Sequence, residues 1–221
     1  MSGGVSEPLV ALTFDDGPSP WTEPILDHFA RHDGRATFFA LGNEVERLDR
    51  RETVRRLVEE GHEIGNHTYS HPGDLAHLSE ARIVEELTRT NALIEELAGV
   101  TPVHWRTPFL RSTPELLAVA GSLGLRHVDC TIMPGDWSVS GEETFARVRD
   151  KLRHGAVIVL HDGRPWDEPA HLSLPTREET AKAVGLILDD MSERGMRSVT
   201  VVELVDADPR NSSLGPPADA R

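Results

Sequence analysis

The sequence predicts an α/β fold in which parallel strands alternate with helices and the sheet closes into a barrel. Short runs rich in Val, Ile, Thr and Phe alternate with longer stretches whose apolar residues recur at intervals of three and four. Strands joined by helices run parallel, and a parallel sheet needs both faces covered, which leaves a doubly wound sheet or a closed barrel. Seven such repeats in a chain of 221 residues favour the barrel.

The predicted strands are the apolar, β-branched runs of this pattern. They lie at residues 9–14, 36–41, 63–67, 103–106, 125–131, 156–160 and 198–204. The helices between them carry start signals. Pro114 fits a first helical turn after Thr113, and Ser140 and Thr176 each open a capping box with a glutamate three residues on. Stop signals agree, because a glycine precedes each strand from the second to the seventh: Gly34, Gly61, Gly99, Gly124, Gly155 and Gly195.

Composition argues against several classes of function. The chain has 37 acidic residues against 23 lysines and arginines, a net charge of −14, so a nucleic acid or an anionic membrane would be repelled by most of its surface. No apolar run approaches the roughly 20 residues that a membrane-spanning helix requires. The single cysteine, Cys130, cannot form an internal disulfide. The sequence leaves the oligomeric state open.

One domain is expected at residues 9–205, between a short tail at 1–8 and a flexible tail at 206–221 that lacks apolar periodicity. Residues 162–176 form a long loop after the sixth strand, and loops of this length in a compact domain are often functional. The start of the chain lacks the features of a secretion signal. We therefore expect a cytoplasmic location for the chain as written, and a secreted or envelope location if a leader has been trimmed.

Polar peptides follow five of the predicted strands. In a βα barrel the C-terminal strand ends face one mouth, where the loops build the active site. These peptides are TFDDGP at 13–18, NHTYSHP at 66–72, RTPF at 106–109, DW at 136–137 and LHD at 160–162. Their residue types are those of metal-assisted hydrolysis.

Three residues of these peptides predict a metal site. Two histidines four residues apart, with one carboxylate from another strand, leave coordination positions open for water and substrate, and Asp16, His67 and His71 fit that set. Adjacent carboxylates at a strand end point different ways, so one can bind metal while its neighbour, Asp15, stays free to act as a base. Taken singly, each motif has an alternative, a solvated histidine pair or an ordinary acidic turn.

Other side chains at the same strand ends predict acid–base chemistry. His161 is a second titrating group unless it is structural, and Asp136 or Asp162 would keep its imidazole charged. Arg106 would hold the free carboxylate ionised, or would simply form a buried ion pair. Trp137 offers an apolar wall for a sugar ring or a small acyl group, or belongs to the core.

In order and spacing, the five peptides resemble the motifs of the polysaccharide deacetylases, the NodB-homology domain of carbohydrate esterase family four. The resemblance covers roughly residues 9–204. TFDDGP is a specific signal of the family and HTxxH is nearly as specific, whereas RxPF, DW and LHD support the resemblance only when they are taken together in order. The resemblance implies a distorted (β/α)7 barrel. It also implies a metal-dependent hydrolase that removes acetyl groups from N-acetylated amino sugars, as oligo- or polysaccharides, or in some members from O-acetylated xylan.

The resemblance further implies a role for each motif residue. It makes Asp15 the catalytic base and His161 the general acid, with Arg106 orienting the base and Asp136 tuning the acid. The implied ligands of one divalent metal ion are Asp16, His67 and His71. Two imidazoles and a carboxylate accept Zn, Co, Ni or Mn, and Zn is the ion that we expect. The implied substrate contacts are Trp137 and Leu160 as walls of the acetyl pocket and a backbone N–H near Phe109 for the oxyanion.

The sequence departs from the family pattern beside the site. The fourth-strand motif continues with Leu110 and Arg111 where the family usually has Gly, and Met133 stands where the fifth motif usually opens with Asp. The implied catalytic set is intact, so these changes concern the sugar subsites. The alternative functions are an O-acetyl esterase, a small-ring amidohydrolase and a catalytically silent carbohydrate-binding protein, although a binder would need neither Asp15 nor His161.

Overall fold

The computed structural model describes residues 8–166 and 168–207. Of the two predicted tails, residues 1–7 and 208–221 lie outside the described residues, and residues 206 and 207 end a helix. Within the described ranges the sheet has seven parallel strands: β1 (Leu9–Asp15), β2 (Thr37–Ala40), β3 (Glu63–Asn66), β4 (His104–Trp105), β5 (Arg126–His127), β6 (Val157–His161) and β7 (Arg197–Ser198).

The strand order is β5-β4-β3-β2-β1-β6, with β7 beside the start of β1. The segment that follows β5 closes the ring, because Ile132 forms a parallel bridge with Ile158 of β6. The N–H of Ile132 donates to Val157 O at 3.1 Å, and Ile132 O accepts from Val159 N at 3.0 Å. The predicted distorted barrel is therefore confirmed. The predicted strand at 125–131 is shorter than expected, because the chain leaves β4 after residue 128 to reach β6.

Most of the α-helices cover the outside of the sheet, whereas the last one packs at its inner face. Those of the described residues are α1 (Thr22–His32), α2 (Gly42–Val45), α3 (Arg51–Glu59), α4 (Glu80–Ala98), α5 (Pro114–Ser122), α6 (Gly141–Arg149), α7 (Glu178–Glu193) and α8 (Val201–Ala207). None of them, within this part of the chain, combines the length and the apolar composition that crossing a bilayer demands.

Alternation along β1 and β6 sorts their side chains into two layers. Phe14 and Leu160 face outward into the largest hydrophobic cluster, where they meet α1 and α7. Ala11 and Val157 face the inside of the barrel in a second cluster. Because side chains alternate along a strand, Asp15, four positions after Ala11, shares the inner face. The strand register therefore aims a carboxylate at the barrel interior.

Helix starts follow the predicted signals at two of three places. Thr113 Oγ1 accepts from Leu116 N and Ser140 Oγ accepts from Glu143 N, each at 3.2 Å. The prediction of a capping box at Thr176 is wrong. The helix α7 begins at Glu178 after Arg177, and no side chain of the described residues caps it. Arg177 is buried and donates to Gly163 O at 2.7 Å, so a tertiary contact sets this helix start.

The predicted seventh strand at 198–204 is wrong beyond residue 198. Thr200 N donates to Glu203 Oε2 at 2.9 Å and Glu203 N donates to Thr200 Oγ1 at 3.1 Å, a reciprocal capping box that starts α8. Val201 and Leu204 then pack on the inner cluster. The predicted stop at Gly34 is also displaced, since Asp33 takes the left-handed conformation, with φ 48°, that ends α1.

Candidate active site

A cavity of about 420 Å³ opens at the C-terminal ends of the strands. Its lining brings together seven residues from five separate peptides of the sequence. These are Asp15, Asp16, His67, His71, Phe109, Trp137 and His161. The convergence expected from parallel strands is therefore present, and it places three histidines and two carboxylates beside an apolar wall.

Asp16, His67 and His71 form a compact buried cluster. Their ligand atoms lie within 4.8 Å of one another. Asp16 Oδ1 is 3.3 Å from His67 Nε2 and 3.4 Å from His71 Nε2. Burial raises the pKa of Asp16, but the interaction with His67 and the charge of His71 outweigh it and bring the pKa to about 2. The carboxylate is therefore ionised.

The tautomer of His67 shows that this cluster fits a metal ion. His67 Nδ1 donates to Arg106 O at 2.9 Å, because a carbonyl can only accept, and the lone pair of a neutral ring is then on Nε2. Asp16 Oδ1 is buried and accepts no hydrogen bond from the described residues. Burial lowers the pKa of His67, but the charges of Asp15 and Asp16 outweigh it and raise the pKa, so the space between Nε2 and Asp16 Oδ1 favours a positive charge, either a proton or a metal cation. Two imidazole nitrogens and a carboxylate are a donor set for a divalent metal with open positions.

Asp15 sits beside this cluster with a different partner. Arg106, fully buried, donates from Nη1 to Asp15 Oδ1 at 2.8 Å and to Thr13 Oγ1 at 2.7 Å. The guanidinium is fixed further by a bond from Nε to Val128 O at 3.1 Å. The other oxygen of Asp15, Oδ2, faces His67 Nε2 at 4.0 Å. Asp15 thus presents one oxygen to the cavity while the other is held by a cation.

His161 is held by Asp136 on the other side of the cavity. His161 Nδ1 bonds Asp136 Oδ1 at 2.9 Å, and Asp136 Oδ2 accepts from His161 N and Thr180 Oγ1, both at 2.8 Å. Burial lowers the pKa of His161, but the charge of Asp136 and this hydrogen bond outweigh it and raise the pKa to about 9. The other ring nitrogen of His161, Nε2, is the atom from which the imidazolium can donate a proton. Trp137 packs edge-on against the ring, with centroids 5.0 Å apart.

The sequence profile of the polysaccharide deacetylases matches residues 2–128. The chain belongs to the polysaccharide deacetylase family. It is 36% identical over 190 residues to the chitooligosaccharide deacetylase of Bradyrhizobium sp. (strain ANU 289), which covers 84% of this chain and 85% of that relative.

Solved structures of the family agree with this assignment. Peptidoglycan deacetylase PdaC from Bacillus subtilis superposes with a TM-score of 0.81 at 30% identity, covering 94% of this chain and 95% of that one. A family 4 acetyl xylan esterase from Clostridium thermocellum, solved in complex with a cobalt ion, gives 0.78 at 35% identity, with 90% and 91% covered. Both a peptidoglycan deacetylase and an acetyl xylan esterase are therefore similar to this chain.

The structure decides between the two carboxylates considered for His161. Asp136 makes the contact, whereas Asp162 points away and accepts from Thr22 Oγ1. Burial raises the pKa of Asp162 to about 7, against the hydrogen bond from Thr22 that lowers it. Its backbone instead supports the site, since Asp162 N donates to Asp15 O at 3.2 Å.

The walls of the cavity correct one predicted residue. Leu160 is fully buried in the outer hydrophobic cluster and does not line the cavity. Strand alternation turns Val159 and His161 to the cavity and Leu160 to the helices. Sequence reasoning also missed other lining residues, although it had singled out the loop at 162–176 and the departures at two of these positions. They are Leu110, Met133, Pro165, Glu168, Pro169, Leu172 and Ser173.

Backbone strain is concentrated around the cluster. Asp16, Thr68, His71 and Phe109 have positive φ angles of 73°, 70°, 56° and 56°, which L residues other than Asn and Asp seldom adopt. Such conformations persist only where surrounding contacts overdetermine them, and they gather at functional sites. The ligand positions therefore depend on packing and hydrogen bonds outside the strands.

Proposed function

We propose that this chain is a metal-dependent hydrolase that removes the acetyl group from an N-acetylated amino sugar in an oligo- or polysaccharide. One observation carries the proposal. Asp15, paired with the buried Arg106, and His161, paired with the buried Asp136, line one cavity that also holds the three-ligand cluster. Amide hydrolysis needs a base to activate water and an acid to protonate the departing amine, and this arrangement offers both.

Asp16, His67 and His71 would hold the cation, and we propose zinc, which suits two imidazoles and one carboxylate. When bound, it would polarise the acetyl carbonyl as a Lewis acid and lower the pKa of water, so that a nucleophile is available near neutral pH. The buried ligands and the fixed tautomer of His67 keep this set preorganised.

Asp15 is the proposed general base. Its ion pair with Arg106 holds the carboxylate at the edge of the cavity, where it would accept the proton of the attacking water. The bond to Arg106 occupies Oδ1 and directs Oδ2 to the cavity. Arg106 therefore orients the base without itself reaching the reacting atoms.

His161 is the proposed general acid. With a pKa of about 9, its imidazolium persists at neutral pH and can protonate the amine nitrogen as the carbon–nitrogen bond breaks. Trp137 and Val159 supply an apolar wall of a size suited to a methyl group. A backbone N–H near Phe109 is the proposed donor to the oxyanion.

An O-acetyl esterase is the second candidate, because a structure at 35% identity is that of an acetyl xylan esterase. The proposed base, the metal-binding cluster and the oxyanion donor would act in the same way on an amide bond and on an ester bond. The two differ in the leaving group, since an alkoxide departs far more readily than an amide anion.

Acetate release separates these functions. Purified protein loaded with zinc would be assayed on N-acetylglucosamine oligomers of one to six units and on acetylated xylan, with a chelator-treated sample as control. We expect chelator-sensitive release from the N-acetylated oligomers. Release from xylan alone would favour the esterase, and no release from any substrate by metal-loaded protein would overturn the proposed hydrolase.

A further inference from the structure

The loop between the two ligand histidines, residues 67–71, is held by side chains from elsewhere in the fold. We infer that Glu86, on α4, is a positioning residue for the metal site, fixing this loop so that His71 reaches the cluster. This inference rests on the metal site proposed above. It does not require that the reaction be N-deacetylation.

The backbone N–H groups of this loop depend on side-chain acceptors. Four successive backbone N–H groups donate to side chains. Thr68 N donates to Asn66 Oδ1 at 2.7 Å, and His71 N donates to Thr68 Oγ1 at 3.1 Å. Between them, Tyr69 N and Ser70 N both donate to Glu86 Oε2, at 2.9 and 2.8 Å. Positive φ angles at Thr68 and His71 take this segment out of the sheet, so strand pairing does not satisfy these groups.

Glu86 makes a third bond to the loop and is itself well shielded. Its Oε1 accepts from Ser70 Oγ at 2.9 Å, and the residue is only 3% exposed. Hydrogen bonds to a carboxylate are stronger than those between neutral groups, and leaving two partly buried N–H groups without an acceptor costs free energy. One carboxylate therefore fixes the two residues that immediately precede His71.

α4 is well suited to hold this carboxylate in place. Asn66, at the end of β3, donates from Nδ2 to Leu87 O at 2.8 Å and to Asn91 Oδ1 at 2.7 Å. The helix is thus fastened to the strand that carries the first ligand, His67, while Glu86 reaches to the segment before the second. The distance between the two ligands is consequently set by one rigid helix.

Glu86 also has a charged neighbour outside the loop, and an ion pair with that neighbour alone would give Glu86 only a structural role. Arg82 Nη2 lies 3.5 Å from Glu86 Oε1, but Arg82 is more than half exposed, so the pair is solvated and weak. The bonds to the loop are shorter and shielded. A structural role would affect folding alone, whereas a positioning role affects the affinity for metal in a folded protein.

The test measures binding of Co²⁺ to metal-free protein, by visible absorption in a competition titration, in Glu86→Leu and Glu86→Gln. Leucine keeps the volume and removes the acceptor, whereas glutamine keeps one oxygen for both N–H groups. Residues that orient metal ligands typically contribute about 10- to 100-fold to affinity. We expect a loss of about that size in Glu86→Leu and near-complete rescue in Glu86→Gln, with similar melting temperatures of the metal-free forms. Glu86→Asp, whose shorter side chain cannot reach the loop, replaces leucine if that variant does not fold.

Two controls make each outcome decisive. Glu85→Leu, on the exposed face of the same helix, should bind Co²⁺ like the parent protein. His71→Ala should lose tight binding, which establishes the site itself. Unchanged Co²⁺ affinity in a folded Glu86→Leu protein, with binding lost in His71→Ala, overturns the positioning role and leaves the metal site standing. Retention of tight binding in His71→Ala overturns the site and the inference together.

Discussion

Two adjacent aspartates are proposed to take different roles because their surroundings differ. Asp15 ends the inner face of β1 and receives the Arg106 guanidinium at 2.8 Å. Asp16 has a left-handed backbone, with φ 73°, and turns its carboxylate to the two ligand histidines. Consecutive positions of the chain thus carry the proposed proton acceptor and the proposed metal ligand.

Conservative amides should separate these roles. Asp16→Asn removes the negative charge from the cluster and should lower zinc content sharply, as measured by elemental analysis after dialysis. Asp15→Asn should retain zinc and lose about 10²- to 10⁴-fold in kcat, the usual contribution of a general base. Equal zinc loss in both variants would contradict this division of roles.

His161 should matter more for amides than for esters. Because an alkoxide needs little help to leave, His161→Ala should lose about 10²- to 10⁴-fold on an N-acetyl sugar and much less on an activated acetyl ester. The measurement is kcat/KM on both substrates at one zinc occupancy. Equal losses would mean that another group donates the proton.

The pH profile tests the same residue independently. A pKa raised to about 9 keeps His161 protonated below that pH, so kcat/KM on an amide should fall as pH rises through about 9. In His161→Ala this alkaline limb should vanish while the acidic limb persists. An alkaline limb unchanged in the variant would assign it to a different group.

At the scale of elements, the turn after β6 supports the turn after β1. Asp162 N and Gly163 N both donate to Asp15 O, at 3.2 and 3.3 Å, and a Cβ at Gly163 would overlap the carbonyl of Asp16. Two loops more than 140 residues apart in sequence are therefore in backbone contact beneath the metal ligands. Only a residue without a side chain fits there.

Gly163→Ala should consequently displace Asp16. We expect a loss of about 1–3 kcal/mol in the free energy of unfolding, measured by urea denaturation of the metal-free protein, together with weaker zinc binding. Gly121→Ala is the matched control, because it lies in α5 with nothing within 4 Å of its added Cβ, and it should be neutral or stabilising by up to about 1 kcal/mol. Similar effects of the two substitutions would refute the close contact.

At the scale of the whole molecule, a buried neutral histidine makes the fold sensitive to acid. His62 packs between Phe29 and Phe38 and accepts a hydrogen bond on Nδ1 from Ala36 N at 3.1 Å. Burial, with smaller contributions from Arg56 and Arg35, lowers its pKa to about 4. The unfolded chain binds a proton near pH 6.5, so the stability that His62 contributes is present above that pH and is lost between 6.5 and 4.

His62→Asn should flatten this dependence, because the amide oxygen still accepts from Ala36 N and cannot take up a proton. The parent protein should lose on the order of 3 kcal/mol more than the variant between pH 7 and pH 4.5. Urea unfolding with a chelator present measures the difference without interference from metal loss. Parallel stability curves would show that His62 titrates normally in the folded state.

The sequence by itself determined the alternation of strands and helices and the identity of the residues proposed for the chemistry. Apolar periodicity and glycine stops are local properties, and the motif residues Asp15, Asp16, His67, His71 and His161 all line the predicted mouth. The missed helix at Val201–Ala207 was also encoded locally, in the capping box of Thr200 and Glu203.

Tertiary structure alone decided which groups meet. Asp136 rather than Asp162 holds His161, Val159 rather than Leu160 lines the cavity, and Glu86 holds the loop that carries His71. These outcomes depend on strand phase and on contacts between residues far apart in sequence. A one-residue change in strand phase turns a side chain to the opposite face, and no local pattern fixes a partner 16 or more residues away. The sequence therefore indicates the type of chemistry, and the packing of the barrel determines which residues are in contact.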